Sequence, residues 1–251
     1  MAEAAAPVAP LEEPKNKQGV TAKKRWFPLE SSPDVMNRYI RKLGVTGGAA
    51  FTDVFGLDDE LLAMVPPPVT AVVFLYPISE ATEASLKAAH AVTAEPVKVQ
   101  PYYMKQTVSN ACGTVGILHA LGNAQGTTTF GSGSFLEKFF EKTKTMTPGE
   151  IAAVVETDSD LDAEQATAAA EGQTRNAALD APVDLHFICF TEVGGVFWEL
   201  DGRQPKPLNL GPCGEGQLLA RAAARVKEYM ALDPKSSNFS IVAMTAGEVD
   251  E

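Results

Sequence analysis

Cys112, in the run QTVSNACGTVG, is the side chain best placed to act as a nucleophile. Ser109 and Asn110 precede it and are residue types that cap helices, which puts Cys112 in the first turn of the helix that follows. There the unpaired backbone N–H groups and the helix dipole favour the thiolate, the nucleophilic form. Gly113 lets a substrate come close to the backbone. A small buried thiol packed at a helix start leaves the same pattern, so the identity of a base decides between the two. The chain has three histidines. His119 is seven residues beyond Cys112, roughly 10 Å along a helix axis, and reads as a packed, hydrogen-bonded helix residue. His90 sits in a polar stretch with no visible partner. His186 lies in the apolar strand DLHFICF, where an imidazole needs a hydrogen-bond partner. The next run, GVFWELDG, folds back on it as a hairpin. A turn at Val193-Gly194 sets Asp201 directly opposite His186 on one face, whereas a turn at Gly194-Gly195 makes the pair diagonal but still close. Such a contact can be purely structural. Joined to a capped cysteine, it is the thiol, imidazole and carboxylate set of a thiol hydrolase, with His186 moving the Cys112 proton and Asp201 fixing the imidazole tautomer. Gln106 either faces solvent from a loop or supplies an amide N–H that forms an oxyanion hole with the Cys112 backbone N–H. Cys189 reads as a core residue, and Cys213, in GPCG, as part of an exposed loop.

The elements that must hold these groups are read from caps, breakers and periodicity. SSPDVMNRYIRKLGV is a helix with Ser32 at the N-cap, Pro33 in the first turn and Gly44 as its stop. LDDELLAMV is a second helix, ended by Pro66, Pro67 and Pro68. AVVFLYPI is apolar throughout and rich in β-branched residues, as expected of a strand buried on both faces. Residues 79–100 are polar, Ala-rich surface. ACGTVGILHALGN is a buried helix, SFLEKFFEKT an amphipathic one, and TPGEIAAVVE a third with Pro at its start. Bulky hydrophobes almost vanish over 156–182. After the hairpin, GQLLARAAARVKEYMAL is a helix and FSIVAMTA a strand. Residues 1–25 hold too little apolar bulk to offset their ordering entropy and read as a disordered extension. The sum is a single α+β domain, an antiparallel or mixed sheet wrapped by helices.

In order and at fitting separations, RWFPLE, ELLAMVP, MKQTVSNACGT, EGQT, DLHF and ELDGR resemble the ubiquitin C-terminal hydrolases, a family of deubiquitinating cysteine peptidases. The resemblance runs from about Arg25 to Ala246 and is strongest to the small single-domain type. It implies that Cys112 is the nucleophile, His186 the general acid and base, Asp201 the orienting carboxylate and Gln106 the oxyanion-stabilising glutamine. It implies a papain-like α/β/α sandwich with a largely antiparallel central sheet and a knotted backbone. The catalytic domain would span 26–246, with an active-site crossover loop at about 156–182 and an acidic tail at 247–251. Ubiquitin contacts would fall on Pro28, Leu29, Glu30 and Pro33, on Glu171, Gly172, Gln173 and Thr174, and on Phe239. The implied activity is hydrolysis of amide or ester bonds at the C-terminal glycine of ubiquitin, with small or flexible leaving groups and Nedd8 as a second substrate. No cofactor or metal is implied, and the protein is expected to be a monomer. A catalytically weak ubiquitin-binding module is the alternative.

Composition agrees with this and narrows it. With 32 Asp and Glu against 21 Lys and Arg, the net charge is −11, which argues against a nucleic-acid binder. Three cysteines without close spacing make neither a disulfide framework nor a zinc site. No apolar run approaches the ~18 residues that cross a bilayer, so no membrane partner is expected. The whole points to a soluble, reduced protein of the cytoplasm or nucleus. Between Glu150 and Asp180, eight acidic residues face one arginine, an acidic surface suited to steering the arginine-bearing ubiquitin tail.

Overall fold

A computed structural model describes residues 24–92, 97–173 and 183–247. Outside these lie the expected extension up to residue 23, Thr174 and the rest of the expected loop to 182, and residues 248–251 of the tail.

The first helix, α1 (Pro33–Leu43), starts after Ser32 and stops at Gly44, whose left-handed backbone (φ 114°) lets its N–H reach the Ile40 and Arg41 carbonyls. Val35, Met36, Tyr39, Ile40 and Leu43 form its buried face. Two short strands follow, β1 (Val45–Gly47) and β2 (Ala50–Asp53), and then α2 (Asp59–Leu62), cut to one turn ahead of the three prolines. β3 (Val69–Pro77) is covered on both sides, with Ala71 and Val73 in one core cluster and Val72, Phe74 and Tyr76 in another. The polar stretch after it contains α3 (Glu80–Ala91), opened by a Ser79–Thr82 capping box and anchored by Leu86. α4 (Cys112–Asn123) is buried from Cys112 to Gly122. β4 (Thr129–Phe130) pairs with β1 in a separate small sheet. α5 (Phe135–Thr143) and α6 (Pro148–Thr157) begin at Ser134 and Thr147, each accepting a first-turn N–H.

The segment 156–182, which the resemblance implies is a crossover loop, is helical in its first half. α7 (Ser159–Ala170) fills the first half, capped by Asp158, whose carboxylate accepts the Asp160 and Leu161 N–H groups. Its buried residues are Leu161, Gln165, Ala168 and Ala169. Alanine is the best helix former, and side chains this small let α7 lie close on α1.

The remaining elements are β5 (Leu185–Val193), β6 (Val196–Leu200), β7 (Leu208–Pro212), α8 (Leu218–Leu232) and β8 (Ser240–Thr245). The main sheet runs β2-β8-β3-β5-β6-β7, with every neighbouring pair antiparallel. α4 packs on β3 and β5, and α8 also packs on both. The alternation of core residues along β5 separates the two helices: Phe187 and Cys189 join the α4 cluster, Ile188 and Phe190 the α8 cluster. Cys213 is buried, contrary to the exposed loop expected from GPCG. Its N–H donates to the Gly195 carbonyl (2.8 Å), and this seats the side chain in the cluster that holds Phe197 and Leu218.

Candidate active site

The β5–β6 register pairs Val193 with Val196, so Gly194 and Gly195 make the two-residue turn, both at positive φ (65° and 78°). Cys189 then pairs with Leu200, which makes His186 and Asp201 diagonal rather than opposite. They remain in contact: Nε2 of His186 is 2.7 Å from Oδ1 of Asp201. Both are almost fully buried. Asp201 Oδ1 also accepts the Arg203 N–H (2.9 Å), and the Gln204 amide donates to Oδ2 (3.3 Å). Arg203 forms a two-armed bridge to Glu83 of α3, both arms 2.9 Å. Tyr76, paired with His186 across the β3–β5 ladder, sets its ring edge-on to the imidazole at 5.9 Å.

Cys112 is the first residue of α4, but Ser109 and Asn110 do not cap it as expected. Ala111 holds the N-cap position without a side-chain bond. The residues before it are instead tied to the strap Lys24–Glu30, by Trp26 N–H to Ser109 O (3.0 Å), Ser109 N–H to Lys24 O (3.1 Å) and the Asn110 amide to Trp26 O (3.0 Å). Asn110 is left-handed (φ 63°), a conformation asparagine tolerates. Gly113 is tightly packed: a Cβ there would stand 3.0 Å from Leu29 Cβ and 3.4 Å from the Phe187 ring, so a neighbour would have to give way. That close fit holds the start of α4 against the residue next to His186.

Two fully buried histidines have opposite fates. Burial drives both toward the neutral form, and in His119 it prevails, pulling the pKa down to about 4 despite the Met104 backbone contact. In His186 burial is outweighed by the Asp201 carboxylate, with a further contribution from the Cys112 sulfur, and the pKa rises to about 9. Asp201 is correspondingly lowered, burial being overcome by His186. Among the described residues Nδ1 of His186 makes no ordinary hydrogen bond; it is the nitrogen left for the thiol once Nε2 is held by Asp201. Burial keeps the Cys189 and Cys213 thiols protonated. His119 carries a stability prediction. Because its folded pKa lies below the unfolded value of 6.5, the unfolded chain binds more protons, and stability is lost as pH falls from 6.5 toward 4. The loss is on the order of 3 kcal/mol. Urea titrations across this range should show it, and His119→Gln should flatten the difference.

Gln106 is buried rather than facing solvent. Its N–H donates to Gly202 O (2.9 Å) and its amide to Val108 O (3.2 Å), while Oε1 is unpaired. One amide N–H is thus held by the chain and a second is left to donate. Among the described residues, members of the three groups expected to contact ubiquitin lie close together. Gly172 lies against Glu30, and Ser31 Oγ bonds Ser240 Oγ (2.8 Å), next to Phe239. Pro28 on the strap and Pro33 at the start of α1 are half-buried, and Gln173 is exposed, but Leu29 turns inward over Gly113. Glu171 is gripped by Arg38 (2.9 Å) and Lys42 (2.6 Å) of α1. Residues that sequence reasoning missed clamp the strap to α7: Trp26 Nε1 donates to Asp162 (2.8 Å), Lys24 pairs with it (2.5 Å), and the Gln165 amide bonds Phe27 O (2.6 Å). Part of the acidic excess in this region is therefore paired internally. In the sequence Gln165 is only a polar residue in an Ala-rich run, and its burial is seen in the structure.

Residues 26–231 match the family model described as ubiquitin carboxyl-terminal hydrolase, family 1. Ubiquitin carboxyl-terminal hydrolase 3 of Arabidopsis thaliana is 44% identical over 227 residues, covering 90% of this chain and 96% of the relative. Isozyme L1 of Homo sapiens is 37% identical over 218 residues, covering 86% and 96%. Among solved structures, the UCH37 catalytic domain of Trichinella spiralis, bound to ubiquitin vinyl methyl ester, superposes with a TM-score of 0.71 at 19% identity, covering 90% of this chain and 97% of that one. With its buried imidazole–carboxylate pair set beside a cysteine at a helix start, the chain belongs to the ubiquitin carboxyl-terminal hydrolase family and is a cysteine-type hydrolase.

Proposed function

We propose that the chain cleaves amide or ester bonds at the C-terminal glycine of ubiquitin through an acyl-enzyme on Cys112. The observation that carries this is the position of His186, between Asp201 on one side and the Cys112 sulfur on the other. His186 takes the thiol proton, and the thiolate adds to the glycine carbonyl. The oxyanion accepts hydrogen bonds from the Gln106 amide and the Cys112 backbone N–H. Collapse of the adduct breaks the C–N or C–O bond, and His186 delivers its proton to the departing group. Water, deprotonated by His186, then releases the ubiquitin carboxylate and regenerates the thiol.

The contiguous surface of Glu30, Gly172 and Phe239 supports recognition of ubiquitin beside this site, and the ubiquitin adduct of the Trichinella relative is in keeping with it. Small or flexible leaving groups suit a thiol only 3% exposed. Nedd8 is proposed as a second substrate. The test is mass spectrometry after reaction with ubiquitin carrying a C-terminal electrophile: one adduct on Cys112 is expected. Measurable ubiquitin binding without an adduct would favour a binding module without useful catalysis.

A further inference from the structure

Besides His186 on β5, three separate stretches carry groups of the site: α4 carries Cys112, the segment before it carries Gln106, and the turn after β6 carries Asp201. All three meet at Tyr103, which is buried. Its ring stacks on His119 of α4, with centroids 5.2 Å apart at 19°, and the neighbouring Met104 N–H donates to Nε2 of that histidine (3.1 Å). Its hydroxyl is 2.8 Å from the Asp201 carbonyl and 2.6 Å from the Gln204 carbonyl. Its single proton is thus shared between the carbonyls of the first and last residues of a turn already closed by Gln204 N–H to Asp201 O (2.9 Å). From the same segment, Lys105 Nζ also donates to Gln204 O, and Gln106 N–H donates to Gly202 O inside the turn.

We propose that Tyr103 is a positioning residue whose hydroxyl staples the Asp201–Gln204 turn to the Gln106 segment, holding the orienting carboxylate and the oxyanion amide in one frame on α4. This rests on the catalytic reading given above. Both carbonyls keep another donor when the phenol is removed, so neither becomes a buried orphan and the fold should survive. What is lost is the fixed relation between two segments, and catalysis is more sensitive to small displacements than stability is.

The test is Tyr103→Phe in the full chain, assayed with a ubiquitin C-terminal fluorogenic amide. The phenylalanine ring keeps the stack on His119. The expected result is a kcat lowered roughly three- to tenfold with KM and thermal midpoint unchanged. The basic limb of the kcat–pH profile should also move down, because a loosened Asp201 supports the His186 imidazolium less. A kcat within roughly twofold of wild type, a loss carried by KM, or a lowered kcat with an unmoved basic limb overturns the proposal. A Tyr103→Phe chain that fails to fold, or whose thermal midpoint falls with its kcat, also overturns the proposal, because both carbonyls keep another donor and the role argued is positioning rather than stability. A wild-type chain that does not turn over the amide would instead reject the reading on which the proposal rests.

Discussion

Cys112→Ala is expected to lower turnover of a ubiquitin C-terminal amide by on the order of 10⁴-fold or more and to leave ubiquitin binding in place. The size follows from the absence of a substitute. Cys189 and Cys213 are the other thiols, and both are buried in the core and held protonated. The variant should fold, because alanine removes one atom from a side chain at the edge of the core. Its stability should change by less than about 1 kcal/mol. Steady-state assays and a binding titration on the same preparation separate the two effects. Turnover that persists would reject Cys112 as the nucleophile.

Asp201→Asn should have the second largest effect, a fall in kcat of roughly 10²- to 10⁴-fold. His119 shows what a fully buried imidazole does without a bonded carboxylate: it is neutral, at about 4. His186 is equally buried and stands at about 9 with Asp201 bonded to it. Without the carboxylate charge, burial should prevail, so the basic limb of the kcat–pH profile moves down. The sign for stability is separate. A histidine raised above 6.5 contributes stability that is complete below 6.5 and is lost as pH rises through about 9. Asp201, lowered from 3.8, contributes stability above that value and loses it in stronger acid. The variant is therefore most destabilised between these limits, from about 4 to 6.5. Denaturant titrations at acid and alkaline pH check this, since the wild-type advantage should shrink at the alkaline end. A kcat–pH profile whose basic limb stays in place would show that Asp201 does not hold the imidazolium.

Where local chemistry was decisive, the sequence was readable. Pro33 and Gly44 bound α1 because one suits a first turn and the other a left-handed stop. The apolar run of β3 announced burial on both faces, and a hairpin around Gly194 and Gly195 brought His186 to Asp201 in either register. What stayed hidden depends on shape at a distance. α7 was unreadable because the usual mark of a buried helix is bulk, and its buried residues are Ala168, Ala169, Gln165 and one leucine. Cys213 lies in a loop by backbone and in the core by side chain, a distinction that GPCG does not carry. Ser109 and Asn110 have the right chemistry for caps, yet the helix starts one residue later, after Ala111, and the Asn110 amide bonds the strap at Trp26. Tyr103 meets Asp201 across 98 positions, and no local pattern encodes such a meeting.

The place of β8 in the sheet has a consequence for how the molecule is made. It lies between β2 and β3, and among the described residues β2 has no other partner in the main sheet. Thr245 reaches Ala50 across 195 positions, so this closure is among the least local contacts in the chain and should form late. During synthesis the segment bearing Cys112 emerges long before β8 does, and until then β2 is unpaired and β3 shows an open, apolar edge. Such an edge recruits other chains. A ribosome that stalls before Ser240 thus releases an aggregation-prone fragment rather than a smaller hydrolase. Activity in a cell extract becomes a count of chains synthesised nearly to their end.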